Sequence, residues 1–234
     1  MQSGLGFLWL LSVIISTAAW LAVEIAMARS RKFPSRSGLT GYELARQVLD
    51  RHHLARTPVR PASARESEAG DWNQDALVLN EKNYFGTSLE GLSRALYSAV
   101  HLLAASKLPV PAAWRIPSGR FFKILVISSW VLTGFGSVLS GWSWALGLGR
   151  VLLILSFFLA LVSLAGEWEG SERAVADLLS LERLWTDERV RMKENLLALR
   201  WTPLAEILGI PLRLLFKLPM KNKSEAGKIR TPSS

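Results

Sequence analysis

The chain has 234 residues, half of them hydrophobic, with ten tryptophans, no cysteine and a formal net charge of +9. That length suits one or two small domains, and a mean hydropathy of +0.22 favours a membrane protein over a cytosolic one. The absence of cysteine excludes disulfides and thiolate metal sites. A basic excess of this size fits either nucleic acid or anionic lipid, and the positions of the lysines and arginines decide between them.

The first element is an apolar run, GLGFLWLLSVIISTAAWLAVEIAMA, in which Glu24 is the only charged residue. The run is about 25 residues long, and a membrane-spanning helix needs roughly 20. A cleaved signal peptide is the alternative, because AMA at 26–28 resembles a cleavage site. No positive residue precedes the run, however, and it exceeds the roughly 7–15 apolar residues of a signal peptide. We therefore expect a retained transmembrane helix over residues 1–28.

Residues 29–120 form the first hydrophilic segment. Its first helix is predicted within SGLTGYELARQVLDRHHL, where Leu44, Val48 and Leu49 share one face. His52 and His53 follow, and because adjacent side chains point in different directions they are weak candidates for metal ligands. Residues 56–75 predict a loop, and ALVLNE after them predicts a short strand.

A second helix is predicted over residues 88–106, after a capping box formed by Thr87 and Glu90. Five apolar residues at helical spacing form its buried stripe: Leu89, Leu92, Leu96, Val100 and Leu103. Tyr97 and His101 lie one turn apart on another face.

Two further apolar blocks, 121–146 and 148–166, predict a transmembrane hairpin over residues 121–166. The joint around Gly147 and Gly149 is too short for more than a tight turn. Trp142 and Trp144 suit the membrane interface beside it.

The positive residues predict the orientation. They cluster after the first span, before the second and after the third, and only Arg150 falls in the hairpin turn: Arg29, Arg31, Lys32, Arg36, Arg115, Arg120 and Arg173. By the positive-inside rule, the N-terminus lies outside and the hydrophilic segments face the cytoplasm. The basic residues thus lie at a lipid surface, so the expected partner is the lipid bilayer and not nucleic acid.

Residues 167–219 predict a cytoplasmic helix followed by an amphipathic, interfacial helix. Residues 220–234 predict a basic disordered tail. Arg200, Glu206, Arg213 and two prolines interrupt residues 194–219. The sequence therefore leaves open whether that stretch crosses the membrane or lies on it.

Three separated segments of the chain resemble known motifs. SRSGLTGYELARQVLD is similar to S-G-L-T-G-x-E-x-A-R-x-I-L-D, and LVLNEKNYFGTSLEGLSRALYSAVH to a strand followed by an H-E-V-G-H helix. EWEGSERAV is similar to E-F-D-A-S-R-R-A. Together these segments resemble the YugP-like neutral zinc metallopeptidases of bacterial membranes. The resemblance implies a mainly α fold (α+β with a small sheet): an integral membrane protein with an N-terminal anchor, a zincin-like helical cytoplasmic segment and a transmembrane hairpin in the bacterial cytoplasmic (inner) membrane.

In such a site, two histidines one helical turn apart and a carboxylate bind zinc, and a glutamate beside the first histidine acts as general base. The resemblance places the first histidine at Tyr97, the base at Ser98, the second histidine at His101 and the third ligand at Glu167. His101 and Glu167 are therefore remnant metal ligands, while Tyr97 and Ser98 are degenerate positions. The family's following aspartate corresponds to Glu169.

These substitutions predict a catalytically inactive homologue, a pseudo-peptidase that acts as scaffold or regulator of another membrane protein and needs no zinc. Loss of one ligand weakens metal binding by orders of magnitude, and loss of the base removes about 10²–10⁴-fold in rate. The alternative is a residual zinc-dependent membrane metallopeptidase whose altered site recruits His52, His53 or Glu169. A third hypothesis is a structural membrane protein whose former cleft has filled in.

Overall fold

A computed structural model describes residues 2–62, 76–107, 120–139, 141–181 and 183–217. The fold is mainly helical, with one small parallel sheet. In chain order the elements are α1 (Gln2–Arg31), α2 (Gly41–Arg51), β1 (Val59–Pro61), β2 (Leu77–Leu79), α3 (Glu81–Phe85), α4 (Leu89–Lys107), α5 (Arg120–Val138), α6 (Ser143–Leu179), α7 (Thr186–Leu199) and α8 (Thr202–Lys217). The predicted tail at 220–234 lies outside the described residues.

Three helices of the described ranges are long and apolar enough to cross a membrane: Gly4–Arg31, Phe121–Val138 and Ser143–Leu179. They correspond to the three apolar runs of the sequence. The protein is therefore a membrane protein with a helical fold and a two-stranded sheet, as the sequence predicts at this level.

The hairpin turn lies earlier in the chain than predicted. α5 ends at Val138 and α6 begins at Ser143, so Gly147, Gly149 and Arg150 belong to α6 and not to a turn. Gly149 instead brings the two helices together, because a Cβ atom there would lie 2.6 Å from the backbone nitrogen of Thr133 on α5. Small residues commonly permit such close approach of helices in membranes.

The third membrane helix continues into the hydrophilic segment without a break. α6 has 37 residues and extends beyond residue 166 to Leu179, so the helix that carries Glu167 is a direct extension of the membrane hairpin. This continuity places Glu167 on the same helix as the second apolar run of the hairpin. The sequence shows the change of composition at 166–167 but not the continuous backbone.

The predicted apolar stripe of α4 forms the centre of the soluble part. Its five members, Leu89, Leu92, Leu96, Val100 and Leu103, are all buried, and so are Leu44, Val48 and Leu49 of α2. α4 packs against α2, α6 and α7. The core thereby holds the Tyr97–His101 face of α4 toward α6.

Two details at the start of α4 differ from the sequence prediction. The helix begins at Leu89, and the hydroxyl of Ser88, not Thr87, accepts a hydrogen bond from the backbone of Gly91 at 3.2 Å. The Glu90 side chain is not part of a capping box, because it pairs with Arg31 of α1. The predicted loop at 56–75 also contains β1, which pairs in parallel with β2; residues 63–75 lie outside the described residues.

A buried polar network ties the end of α1 to α4 and α7. Ser30 donates a hydrogen bond to Asn195 Oδ1 at 2.9 Å, and Asn195 Nδ2 donates to the hydroxyl of Ser93 at 3.0 Å. All three residues are buried. Since the partners come from three helices, this network fixes their relative position.

Glu90 is a buried carboxylate that two arginines neutralise. Arg31 donates from Nε to Oε2 at 2.7 Å and from Nη2 to Oε1 at 3.1 Å, and Arg94 Nε lies 3.4 Å from Oε1. Burial raises the pKa of Glu90, but the hydrogen bond from Arg31 and the charges of Arg94 and Arg31 outweigh burial, so the pKa is lowered overall.

We predict that acid weakens this contact in a defined pH range. Because the folded-state pKa of Glu90 lies below the ordinary value of 4.5, its stabilisation is complete above that pH and is lost as the pH falls through the folded pKa. Glu90→Gln should lower the free energy of unfolding by about 1.5–3 kcal/mol at neutral pH. Thermal unfolding in detergent, followed from about pH 6 to about pH 3, checks this. Parallel pH profiles for Glu90→Gln and the unchanged protein would contradict the assignment.

The last helix, α8, packs along α1 and also contacts α5 and α6. Pro211 lies inside it and has no N–H, which leaves the carbonyl of Ile207 without its helical donor. Trp130 of α5 donates its Nε1–H to that carbonyl at 3.0 Å. α8 therefore lies beside the apolar helices; whether it crosses the membrane or lies at its surface stays a prediction.

Candidate functional site

The side chains of Tyr97, His101 and Glu167 meet between α4 and α6. Tyr97 and His101 lie one turn apart on α4, and their rings are 4.2 Å apart between centroids with an interplanar angle of 50°. Glu167 faces them from α6. The structure thus brings together three of the four positions that the sequence singled out, although their role as a former metal site stays a prediction.

One oxygen of Glu167 interacts with both α4 side chains. The Tyr97 hydroxyl donates a hydrogen bond to Glu167 Oε2, and His101 Nε2 lies 3.1 Å from the same oxygen. The Tyr97 oxygen also lies 3.5 Å from the carbonyl oxygen of Leu199, at the end of α7. The side chains of His101 and Glu167 are only 17% and 18% exposed. The carboxylate of Glu167, a predicted remnant ligand, is therefore hydrogen-bonded to a phenol.

The phenol of Tyr97 stays protonated at neutral pH. Burial raises its pKa well above the ordinary value of 10, and the negative charge of Glu167 and the hydrogen bond to that carboxylate raise it further. A protonated phenol acts here as a donor to Glu167. It does not supply the anionic oxygen that would replace an imidazole as a zinc ligand.

Gly170 allows His101 to occupy its place. A Cβ atom at position 170 would lie 2.8 Å from His101 Nε2 and 3.0 Å from Cε1, so the imidazole packs directly on the helix backbone. This glycine is not among the site residues that the sequence predicts. Its signal was the departure of EWEGSERAV from E-F-D-A-S-R-R-A, in which the corresponding residue is alanine.

Ser98, which the resemblance places at the position of the general base, is half-buried on α4. A serine hydroxyl needs a neighbouring base to take part in proton transfer at neutral pH. Within the described ranges, no histidine, aspartate or glutamate forms a hydrogen bond with this hydroxyl. The side chain therefore offers neither a base nor an activated nucleophile.

The turn between α7 and α8 lies next to this cluster. The guanidinium of Arg200 stacks on Trp168 at 4.5 Å and lies 5.7 Å from Trp201, and the two indole rings pack edge to face at 6.1 Å. Trp168 directly follows Glu167 on α6. These contacts hold the start of α8 beside the Glu167 end of the cluster.

The other acidic and histidine candidates lie elsewhere. His52 Nε2 is 2.9 Å from Asp177 Oδ1, and Asp177 is ten residues beyond Glu167 on α6, about 15 Å along the helix. His53 is exposed and has a positive φ of 62°, and Glu169 pairs with Arg173 on the surface of α6. The geometry does not bring them to Glu167.

The donor set does not fit a zinc ion. A catalytic zinc site uses three protein ligands and keeps a fourth position for water. In the part of the chain that the structure describes, no group of three or more His, Asp and Glu side chains could hold a metal ion. His101 and Glu167 supply two possible ligands, and the position that the resemblance assigns to the third ligand carries a protonated phenol, which donates a hydrogen bond to Glu167.

The fold combines an N-terminal membrane helix, a helix that carries Tyr97 and His101, and a membrane hairpin that continues into the helix of Glu167. This is the framework of a membrane metallopeptidase. The chain belongs to the family described as "Putative neutral zinc metallopeptidase", whose model matches residues 6–220. It is 28% identical over 176 residues to "Putative membrane protease YugP" of Bacillus subtilis (strain 168), covering 74% of this chain and 77% of that protein. No solved structure matches the chain. The family resemblance recognised in the sequence is confirmed.

Proposed function

We propose that the protein is a catalytically inactive member of its family, a membrane pseudo-peptidase that works as a scaffold or regulator of another membrane protein. The hydrogen bond from the Tyr97 hydroxyl to Glu167 Oε2 is the observation that carries this proposal. It replaces a metal–ligand interaction with a contact between protein side chains. Ser98 stands in the place of the general base, so the second group that hydrolysis requires is missing as well.

The preserved framework supports a binding role in place of catalysis. α4 and α6 still hold His101 and Glu167 side by side, and the buried network of Ser30, Asn195 and Ser93 fixes the surrounding helices. A fold maintained without a complete site can present surfaces to a partner, since function resides in sites and not in the fold itself.

A residual metallopeptidase remains the second candidate because His101 Nε2 and Glu167 Oε2 lie only 3.1 Å apart. A peptide-cleavage assay on the purified full chain, with and without added zinc, distinguishes the two. The proposal expects no cleavage above that of His101→Ala under either condition. Zinc-dependent cleavage that His101→Ala abolishes would establish the residual enzyme.

We propose the bacterial inner membrane as its location, with the N-terminus outside and the hydrophilic segments in the cytoplasm. The chain has no cysteine, so single cysteines report accessibility without background. Gly141, in the hairpin turn, and Arg56, in the soluble segment, are both exposed. A membrane-impermeant maleimide should label Gly141→Cys in intact spheroplasts and Arg56→Cys only after permeabilisation, because positive residues are retained inside. The reverse labelling pattern would contradict this orientation.

A further inference from the structure

A cavity of about 310 Å³ lies between α7 and the end of α1 that carries the basic residues. α1 contributes Ala22, Ile25, Ala26 and Arg29, which are spaced three or four residues apart and so share one face of the helix. The volume falls within the range of small-molecule sites, about 300–1,000 Å³. We call this cavity the α1–α7 groove.

The inner end of the α1–α7 groove is polar. Ser30 and Asn195 line it and are 3% and 1% exposed. They hydrogen-bond to each other at 2.9 Å as part of the network that fixes α1 against α7. The groove therefore has a rigid polar floor.

The rim of the groove carries two arginines, Arg29 and Arg191. The guanidinium of Arg191 is held over the ring of Phe33 at 4.2 Å, which restricts its position. Neither arginine forms an ion pair with a carboxylate in the described ranges. Glu194 also lines the groove and opposes their charge, which leaves a net positive rim.

The other side of the groove is formed by α1, which is long and apolar enough to cross a bilayer. Ile25 is 49% exposed there, so we expect this face to meet acyl chains. Arg29 follows it by one turn. Charged side chains at this boundary meet the headgroups of anionic lipids, which attract arginine.

We propose that the α1–α7 groove binds one anionic phospholipid, with the phosphate between Arg29 and Arg191 and the start of an acyl chain along Ala22 and Ile25. Charge complementarity with the rim selects an anionic over a zwitterionic headgroup, and the apolar α1 face selects a lipid over a free anion. The groove is separate from the His101–Glu167 cluster, so this proposal does not depend on the loss of peptidase activity.

Native mass spectrometry of the full chain in mild detergent, titrated with phosphatidylglycerol or phosphatidylcholine, tests the proposal. Arg29→Gln with Arg191→Gln should weaken binding of the first phosphatidylglycerol by about tenfold or more. Lys32→Gln with Lys193→Gln is the matched control, since it removes the same charge from the same region outside the groove. The control should change the affinity by less than about twofold, because surface charge outside the groove acts only at long range. Glu194→Gln should strengthen binding.

Equal losses of phosphatidylglycerol affinity in the arginine and lysine double variants would mean that general surface charge determines binding. That result would overturn the proposal. Equal binding of the two lipids, or displacement of phosphatidylglycerol by millimolar inorganic phosphate alone, would overturn it as well. If the variant with Arg29→Gln and Arg191→Gln fails to fold, Glu194→Gln tests the proposal. Weaker or unchanged phosphatidylglycerol binding by Glu194→Gln would contradict a site in this groove.

Discussion

Tyr97→His combined with Ser98→Glu should raise the zinc content of the purified protein to about one ion per chain. The expectation follows from the geometry, because position 97 lies one turn before His101 and its side chain already reaches Glu167. An imidazole at 97 completes the three ligands, and a carboxylate at 98 supplies the base. Metal analysis by inductively coupled plasma mass spectrometry after gel filtration measures the change.

Tyr97→Phe with Ser98→Ala is the matched control for this restoration. It removes the phenol and the hydroxyl but adds no ligand, so it should bind no zinc. Comparison of Tyr97→His alone with the double variant isolates the contribution of the general base to the cleavage rate. The base should raise the rate of any peptide cleavage by about 10²–10⁴-fold. A folded double variant without zinc, or a control that binds as much zinc, would show that Tyr97 does not occupy a former ligand position.

Gly41→Ala should produce the largest loss of stability among single methyl additions in the soluble segment. A Cβ atom at position 41 would lie 2.0 Å from the backbone oxygen of Asn83 and 3.1 Å from the Cβ of Ala95. Backbone cannot move aside as a flexible side chain can, so the start of α2 must separate from α3 and α4. We expect a loss of about 3 kcal/mol, the upper end of overpacking effects. Thermal unfolding in detergent measures it as a fall in Tm.

Gly147→Ala provides the comparison for Gly41→Ala. It adds the same methyl group to a helix at a position with nothing within 4 Å. Alanine is favoured over glycine in a helix by about 1 kcal/mol, so Tm should stay unchanged or rise. A similar fall in Tm for both variants would mean that the α2–α3 contact does not limit stability.

Long apolar periodicity predicts most of the helical fold. Burial of the α4 stripe and of Leu44, Val48 and Leu49 on α2 follows from spacing alone, since only one face of each helix can reach the core. The three apolar runs likewise correspond to the three candidate membrane helices. These features depend on composition summed over many residues, which local details do not alter.

Turns and caps were not predictable to the same degree. The sequence predicts the hairpin turn at Gly147 and Gly149, but glycine also permits close contact between helices, and Gly149 packs against Thr133. Thr87 and Glu90 have the spacing of a capping box, yet Arg31, 59 residues away in sequence, binds the Glu90 carboxylate. A distant partner with a full charge outweighs a local hydrogen bond, and sequence spacing does not contain that information.

The candidate site likewise has features that the sequence predicts and features that it does not. The i, i+4 spacing places Tyr97 and His101 on one face, and family resemblance pairs them with Glu167. The direction of the Tyr97 hydrogen bond, the proximity of the Leu199 carbonyl and the need for glycine at 170 depend on how α6 and α7 pack on α4. Only the folded structure supplies these contacts.

The zinc content of the unchanged full-length protein tests the central claim most directly. The chain is purified in mild detergent without chelators, exposed to equimolar zinc, passed through a desalting column and analysed for metal. With Tyr97 hydrogen-bonded to Glu167, we expect far less than one zinc ion per chain and the same content in His101→Ala. Stoichiometric zinc that His101→Ala and Glu167→Gln both abolish would contradict the account.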